Sequence, residues 1–275
     1  MIGRRLIWRI GRGLYTRARG EGPNNIATNG EALAQSELVQ WCLSRQRRAT
    51  IFDVGANVGQ WTMSLVGDAK RRGALDLIEL HVFEPVAESL HELDMRTSSI
   101  SSQVKLTKVQ SALSRSDGTA DMHIITPTGG TNSLHPNSMS PSESTTQVSV
   151  RKVDTYCKEK NIAEVHFLKC DAEGHDFDVL LGAMSMFGQQ RIQFFQFEYN
   201  HRWIDSRHFL KDVFALFDGR PYAIGKLTGR GIEVLPCWHP ELERFFESNY
   251  VIVHKAMLSQ FSHRYLRIDA ANTYA

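Results

Sequence analysis

Between residues 50 and 217, five short apolar runs alternate with segments of helical periodicity, and this alternation restricts the chain to few architectures. Strands are expected over 50–54, 79–83, 104–109, 165–170 and 192–197, and helices over 59–70, 85–96, 174–187 and 209–217. Near-continuous apolar strands separated by helices imply a mostly parallel sheet with helices on both faces, which binds ligands beyond the carboxyl ends of its strands. Three more strand patterns, at 222–226, 232–235 and 250–254, would finish the sheet, partly antiparallel. The expected architecture is α/β and Rossmann-like, with seven strands in the central sheet.

Two segments stand outside the alternation. Short strands at 121–125 and 147–150 flank TPTGGTNSLHPNSMSPSEST, so residues 120–150 read as an inserted hairpin whose loop covers a site mouth or simply hangs free. Residues 1–20 hold six arginines and no acid, with Ile2, Leu6, Ile7, Ile10 and Leu14 at helical spacing. That arm is expected to form an amphipathic helix lying on an anionic membrane surface, on the body or on a partner chain. Residues 20–30 read as loop and 31–47 as a helix, which divides the chain into an arm over 1–30 and one domain over 31–275.

Without the arm the chain holds 26 basic and 30 acidic residues, which argues against a nucleic-acid groove across the body. Four cysteines, widely separated and without a CxxC pair, indicate neither zinc nor a disulfide framework, and reduced thiols fit a cytoplasmic chain. Arg9 and Arg12 interrupt the apolar segment that a signal peptide needs. An arm bound to the membrane would make the protein peripheral at the inner face.

The first strand runs into a glycine turn, IFDVGANVGQW. Gly55 and Gly59 allow a cofactor close to the backbone, and Glu84 at the end of the second strand is placed to accept two hydrogen bonds from ribose hydroxyls. Both features suit a nicotinamide dinucleotide as well as S-adenosylmethionine. Asp53 separates the two, because a carboxylate there repels a pyrophosphate and favours a sulfonium and an ammonium. The spacing Gly55-x-x-x-Gly59 also departs from Gly-x-Gly-x-x-Gly.

With HVFEP, SALSRSDG, VRKVDTY, FLKCDAEGHDFDVLLGA and FFQFEYNH, this turn resembles the FkbM-type methyltransferases over residues 29–249. The resemblance implies a class I, S-adenosylmethionine-dependent enzyme that methylates hydroxyls of sugars in glycans, glycolipids or polyketide-like natural products. His175-Asp176 departs from the family's more usual small residue followed by Glu, and the arm lies outside the match.

Methyl transfer needs two aligned molecules and an outlet for the acceptor's proton. The fourth strand ends in KCDAEGHD, where Asp171 is expected to face the methyl centre and Glu173 to orient the acceptor or take its proton. A structural role as helix N-terminal acids is the alternative for Glu173 and Asp176. His201, after the fifth strand, is a candidate base or a surface histidine. Asp171, Glu198 and Asn200 form an oxygen-rich set suited to Mg²⁺. Further cofactor contacts are expected from Glu31, Asn57, Ser111, Ala112 and Asp117. Two other functions compete: a nicotinamide-dependent oxidoreductase, and a non-catalytic membrane-surface or assembly module that retains the fold.

Overall fold

The computed structural model describes residues 2–21, 24–136 and 141–274, so the tip of the expected lid and part of the expected 20–30 loop lie outside the described residues. Helix α1 (Ile2–Ala18) precedes α2 (Glu31–Arg45). The chain then runs through β1 (Ala49–Val54), α3 (Gln60–Arg71), β2 (Ile78–Phe83), α4 (Ala87–Thr97), β3 (Lys105–Val109), β4 (Ala112–Leu113), β5 (Gly118–Ile124) and β6 (Ser144–Arg151). It continues with α5 (Val153–Glu159), β7 (Phe167–Cys170), α6 (Asp176–Leu181), α7 (Met184–Gly188), β8 (Phe194–Tyr199), α8 (Trp203–Ser206) and α9 (Leu210–Phe217). The last elements are β9 (Tyr222–Thr228), β10 (Gly231–Leu235), β11 (Ser248–His254), α10 (Lys255–Leu258) and β12 (His263–Tyr265).

The main sheet has the order β12-β10-β9-β11-β8-β7-β1-β2-β3. It therefore contains nine strands rather than the expected seven, because β10 and β12 extend it beyond β9. Strands β3, β2, β1, β7 and β8 are parallel, and β11 runs antiparallel between β8 and β9, so that β9 again points the way of the parallel strands. Successive β1 residues supply opposite faces. Phe52 and Val54 enter a core shared with α5, α6, α7 and α9, whereas Ile51 enters one shared with α2, α3 and α4. Burial on both faces is why these strands read as unbroken apolar runs.

The expected hairpin is present. β5 and β6 pair antiparallel, β4 joins them in a separate three-stranded sheet, and Met122, Ile124, Val148 and Val150 pack with Val86 and Ala112.

One expected helix is broken in two. Residues 174–187 form α6 and α7 instead of a single helix, with Gly182 and Ala183 between them. Asp154, from α5, accepts hydrogen bonds from the amides of Ser185 and Met186, each 2.9 Å long, and so starts a new helix there. Gly182 lies so close to the Ser114 carbonyl that a β-carbon would stand 2.1 Å from it.

Candidate active site

The carboxyl ends of β1, β2 and β7 meet at one place. Gly55 follows β1 with φ of +70°, and a β-carbon on it would lie 1.9 Å from the Asp171 carbonyl oxygen, so the turn requires glycine for both conformation and space. Its amide and that of Ala56 donate to the Phe83 carbonyl at the end of β2. Gly59, at φ of +81°, starts α3 and packs against Leu93.

Two adjoining cavities share Gly55, Asn57, Gly130, Asp171 and Glu173. The larger, about 230 Å³, extends toward Asn24, Ile26, Glu31, Gln60, Trp61 and Lys169. The smaller reaches Glu84, Pro85, Met122, Asn132, Leu134 and His175.

Glu84 accepts from the amides of Asn57 at 2.8 Å and Val86 at 2.9 Å, which fixes its carboxyl group across the turn. Burial pushes it up to about 7, against the downward effect of those two hydrogen bonds. The Asn57 side chain accepts from Ser89, 3.1 Å away. Glu31, the first residue of α2, accepts from Asn29 and Gln196 at 2.8 and 2.7 Å, and burial raises its pKa.

Lys169 is the hub of the charges. Its Nζ lies 3.4 Å from Asp171 and 3.5 Å from Asp53. Burial opposes its charge, but Asp171, Asp53 and Glu31 outweigh that effect and hold the amine protonated. Asp53 itself is fully buried and lines neither cavity. It accepts from Thr62 at 2.7 Å, and its charge adjoins the site through Lys169. Asp171 lines both cavities with its side chain 35% exposed, and its Oδ1 is buried without a hydrogen-bond partner.

Glu173 sits on the following turn at φ of +54°, paired with Arg202. Burial and the nearby Asp171 raise its pKa, while Arg202 opposes them. Glu198 accepts from Asn24 and Asn200, and burial followed by Asp171 raises it well above the usual carboxylate range. Carboxylate oxygens of Asp171, Glu173 and Glu198 lie within 4.8 Å of one another. Asn200 is engaged elsewhere: its amide donates to Glu198 at 2.6 Å and its oxygen accepts from the Arg202 amide at 2.9 Å.

Asp176 is buried and accepts from the amides of Ala172, Gly174 and Glu198, so it holds the β7 turn together; burial pushes it up to about 6. His201 is exposed and lines neither cavity. Ser111 and Ala112 are buried outside the cavity walls, with the Ser111 hydroxyl donating to the carbonyls of Ala112 and Ser149. Asp117 accepts from the Lys152 amide and the Thr155 hydroxyl, at the far end of the hairpin.

The hairpin instead brings Met122, Gly130, Asn132 and Leu134 to the cavity. Asn132 folds that loop onto itself by bonding the Ile125 amide and the Thr126 carbonyl. Ser133 donates to the Glu173 carbonyl at 2.8 Å. His135 and His175 join ring nitrogens at 2.9 Å, and the other nitrogen of His175 meets Ser114. Burial pushes His175 down to about 4, so this contact between loop and α6 is made by a neutral ring at pH 7.

Residues 53–223, more than half of the chain, match the family described as the methyltransferase FkbM domain. Among solved structures, methyltransferase FkbM from Methylobacillus flagellatus KT is 17% identical, with 74% of this chain and 43% of that chain covered and a TM-score of 0.46. WbdD is 9% identical, with coverage of 87% and 42% and a TM-score of 0.45. The N-terminal domain of human METTL16 in complex with SAH is 11% identical, with coverage of 81% and 70% and a TM-score of 0.42. The chain thus spans less than half the length of the first two, and likenesses this distant carry no argument about the reaction. No curated protein matches the chain.

Proposed function

The chain belongs to the FkbM methyltransferase family, and on that premise we propose that it transfers a methyl group from S-adenosylmethionine to a sugar hydroxyl. The observation that carries this reading is Asp171, a part-exposed carboxylate that lines both cavities, in a wall that Glu31, Lys169 and Glu173 complete. Such a wall suits a cationic cofactor and disfavours a pyrophosphate. Glu84 would hold the ribose hydroxyls and Asp171 the ammonium of the methionine half. Met122 and Leu134 offer the adenine an apolar wall at the opposite end.

Bound there, S-adenosylmethionine supplies an electrophilic methyl group on a sulfonium, and the acceptor oxygen bonds to that carbon as the carbon–sulfur bond breaks. Glu173, which lines both cavities, would take the acceptor's proton in its ionised form. Arg202 orients that carboxylate through its ion pair. The acid-rich rim suits a neutral hydroxyl compound better than a polyanion such as a nucleic acid. Mg²⁺ held by Asp171, Glu173 and Glu198 would be an alternative to this scheme, in which the ion rather than Glu173 acidifies the acceptor hydroxyl, and the carboxylate spacing permits it.

Incubating the protein with methyl-labelled S-adenosylmethionine and carbohydrate, lipid and small-molecule fractions tests the acceptor class. Label is expected in base-stable ethers of carbohydrate-containing fractions. Label confined to RNA or protein would refute the sugar reading. EDTA is expected to abolish labelling only if a metal assists the hydroxyl.

A further inference from the structure

Helix α1 presents the wrong face to the body for a helix whose apolar side serves as core. Arg12, Tyr15 and Arg19 recur on one side, and that side meets the body, while Trp8, on the same side one turn before Arg12, is 62% exposed. The Arg12 guanidinium lies 5.7 Å from the Phe246 ring centre and 5.3 Å from that of Trp8. Tyr15 packs on Phe246 at 5.9 Å and donates to Glu241 at 2.8 Å. Arg19, buried, donates to the Glu241 carbonyl at 2.7 Å and to Glu21 at 3.1 Å, and its own carbonyl accepts from Lys226 at 2.9 Å.

The opposite side carries Leu6, Ile7, Ile10 and Leu14, which are 56%, 72%, 52% and 65% exposed. At 100° per residue they form one stripe two turns long. Arg4, Arg5, Arg9, Arg12 and Arg17 share the helix with no acid, so its charge has one sign. No helix among the described residues is long and apolar enough to cross a membrane.

We propose that α1 is a docking helix for an anionic membrane surface, with the Leu6–Ile7–Ile10–Leu14 stripe entering the acyl boundary and Arg4, Arg5, Arg9 and Arg17 reaching phosphate groups. The stripe is too short to span a bilayer and suits lying in its interface. Arginine stems bury along such a surface while their guanidinium groups stay at the headgroups. An aqueous partner helix would need acids to answer these four arginines, whereas an anionic bilayer supplies phosphate charge at any register. The docking helix also connects covalently to the candidate site, because Asn24, five residues beyond Arg19, donates to Glu198 at 2.9 Å and lines the larger cavity. Membrane docking does not depend on methyl transfer and can be measured without it.

Flotation of the full chain with vesicles of phosphatidylserine and phosphatidylcholine provides the test, beside vesicles of phosphatidylcholine alone and a Leu6→Glu/Ile10→Glu double variant. The wild-type chain is expected to float with the anionic vesicles and to be released by high salt. The variant is expected to bind at least about tenfold more weakly while unfolding at the same temperature. Absence of flotation, or equal flotation of both chains, would overturn the proposal. A wild-type dimer in solution that the double variant abolishes, with no vesicle binding, would overturn it in favour of a second copy of the chain.

Discussion

Asp171→Asn is expected to lower kcat/KM for methyl transfer by about 10²–10⁴-fold while leaving the fold intact. The substitution keeps the size of the side chain and removes its charge at the point where both cavities meet. It also replaces one carboxylate oxygen by an amide nitrogen, which cannot accept from a cationic group. The fold should tolerate the change because Lys169 keeps Asp53 at 3.5 Å, so its ammonium is not left buried without a counter-charge. Steady-state kinetics with an identified acceptor, alongside thermal unfolding, would separate the two effects. Activity within threefold of wild type would take Asp171 out of the site. A large fall in unfolding temperature would show that its role is structural.

Lys169→Met is expected to damage the fold itself. Lys169 is buried among Asp53, Asp171 and Glu31, and methionine fills a similar volume without the charge. Breaking a buried ion cluster by removing one sign costs about 3–5 kcal/mol. For a chain of this size the expected loss corresponds to an unfolding midpoint lower by about 6–20 °C.

The pH dependence follows from the sign of the change. Burial already holds Glu31 above its ordinary range and Lys169 opposes that, so removing the lysine raises its folded-state pKa further above the unfolded value. The folded variant then binds protons more readily than its unfolded chain, so its deficit should shrink as pH falls into the carboxylate range. A deficit that stays constant from pH 8 to pH 5 would show that packing, rather than charge, was lost.

Much of this site is legible in the sequence because its parts lie at strand ends. Gly55 follows β1, Glu84 follows β2 and Asp171 follows β7, and in a parallel sheet consecutive strand ends converge. What stayed hidden depends on contacts between distant segments. Lys169 alternates with Leu168 and Cys170 inside an apolar strand, and only the pairing of β1 with β7 at Asp53 and Lys169 reveals its partner. Ser111, Ala112 and Asp117, which follow β3, were expected among the cofactor contacts, yet the small sheet takes them up.

The hairpin was legible as strands, but the cavity-facing positions of Met122, Gly130 and Leu134 follow from how the Asn132 loop folds back. The break between α6 and α7 was hidden for a similar reason. Its cap, Asp154, is about thirty residues away in the sequence. Periodicity reads which face of an element is buried and has no access to what caps it from elsewhere.

The central claim is that the carboxylate-walled turn binds S-adenosylmethionine and its demethylated product rather than a dinucleotide, and titration calorimetry with that thioether product, S-adenosylhomocysteine, tests it most directly. Saturable binding near one molecule per chain is expected, weakened at least about tenfold in Glu84→Ala through loss of the ribose hydrogen bonds. Binding of NAD with no heat from S-adenosylhomocysteine, or equal affinity in the two chains, would contradict the account.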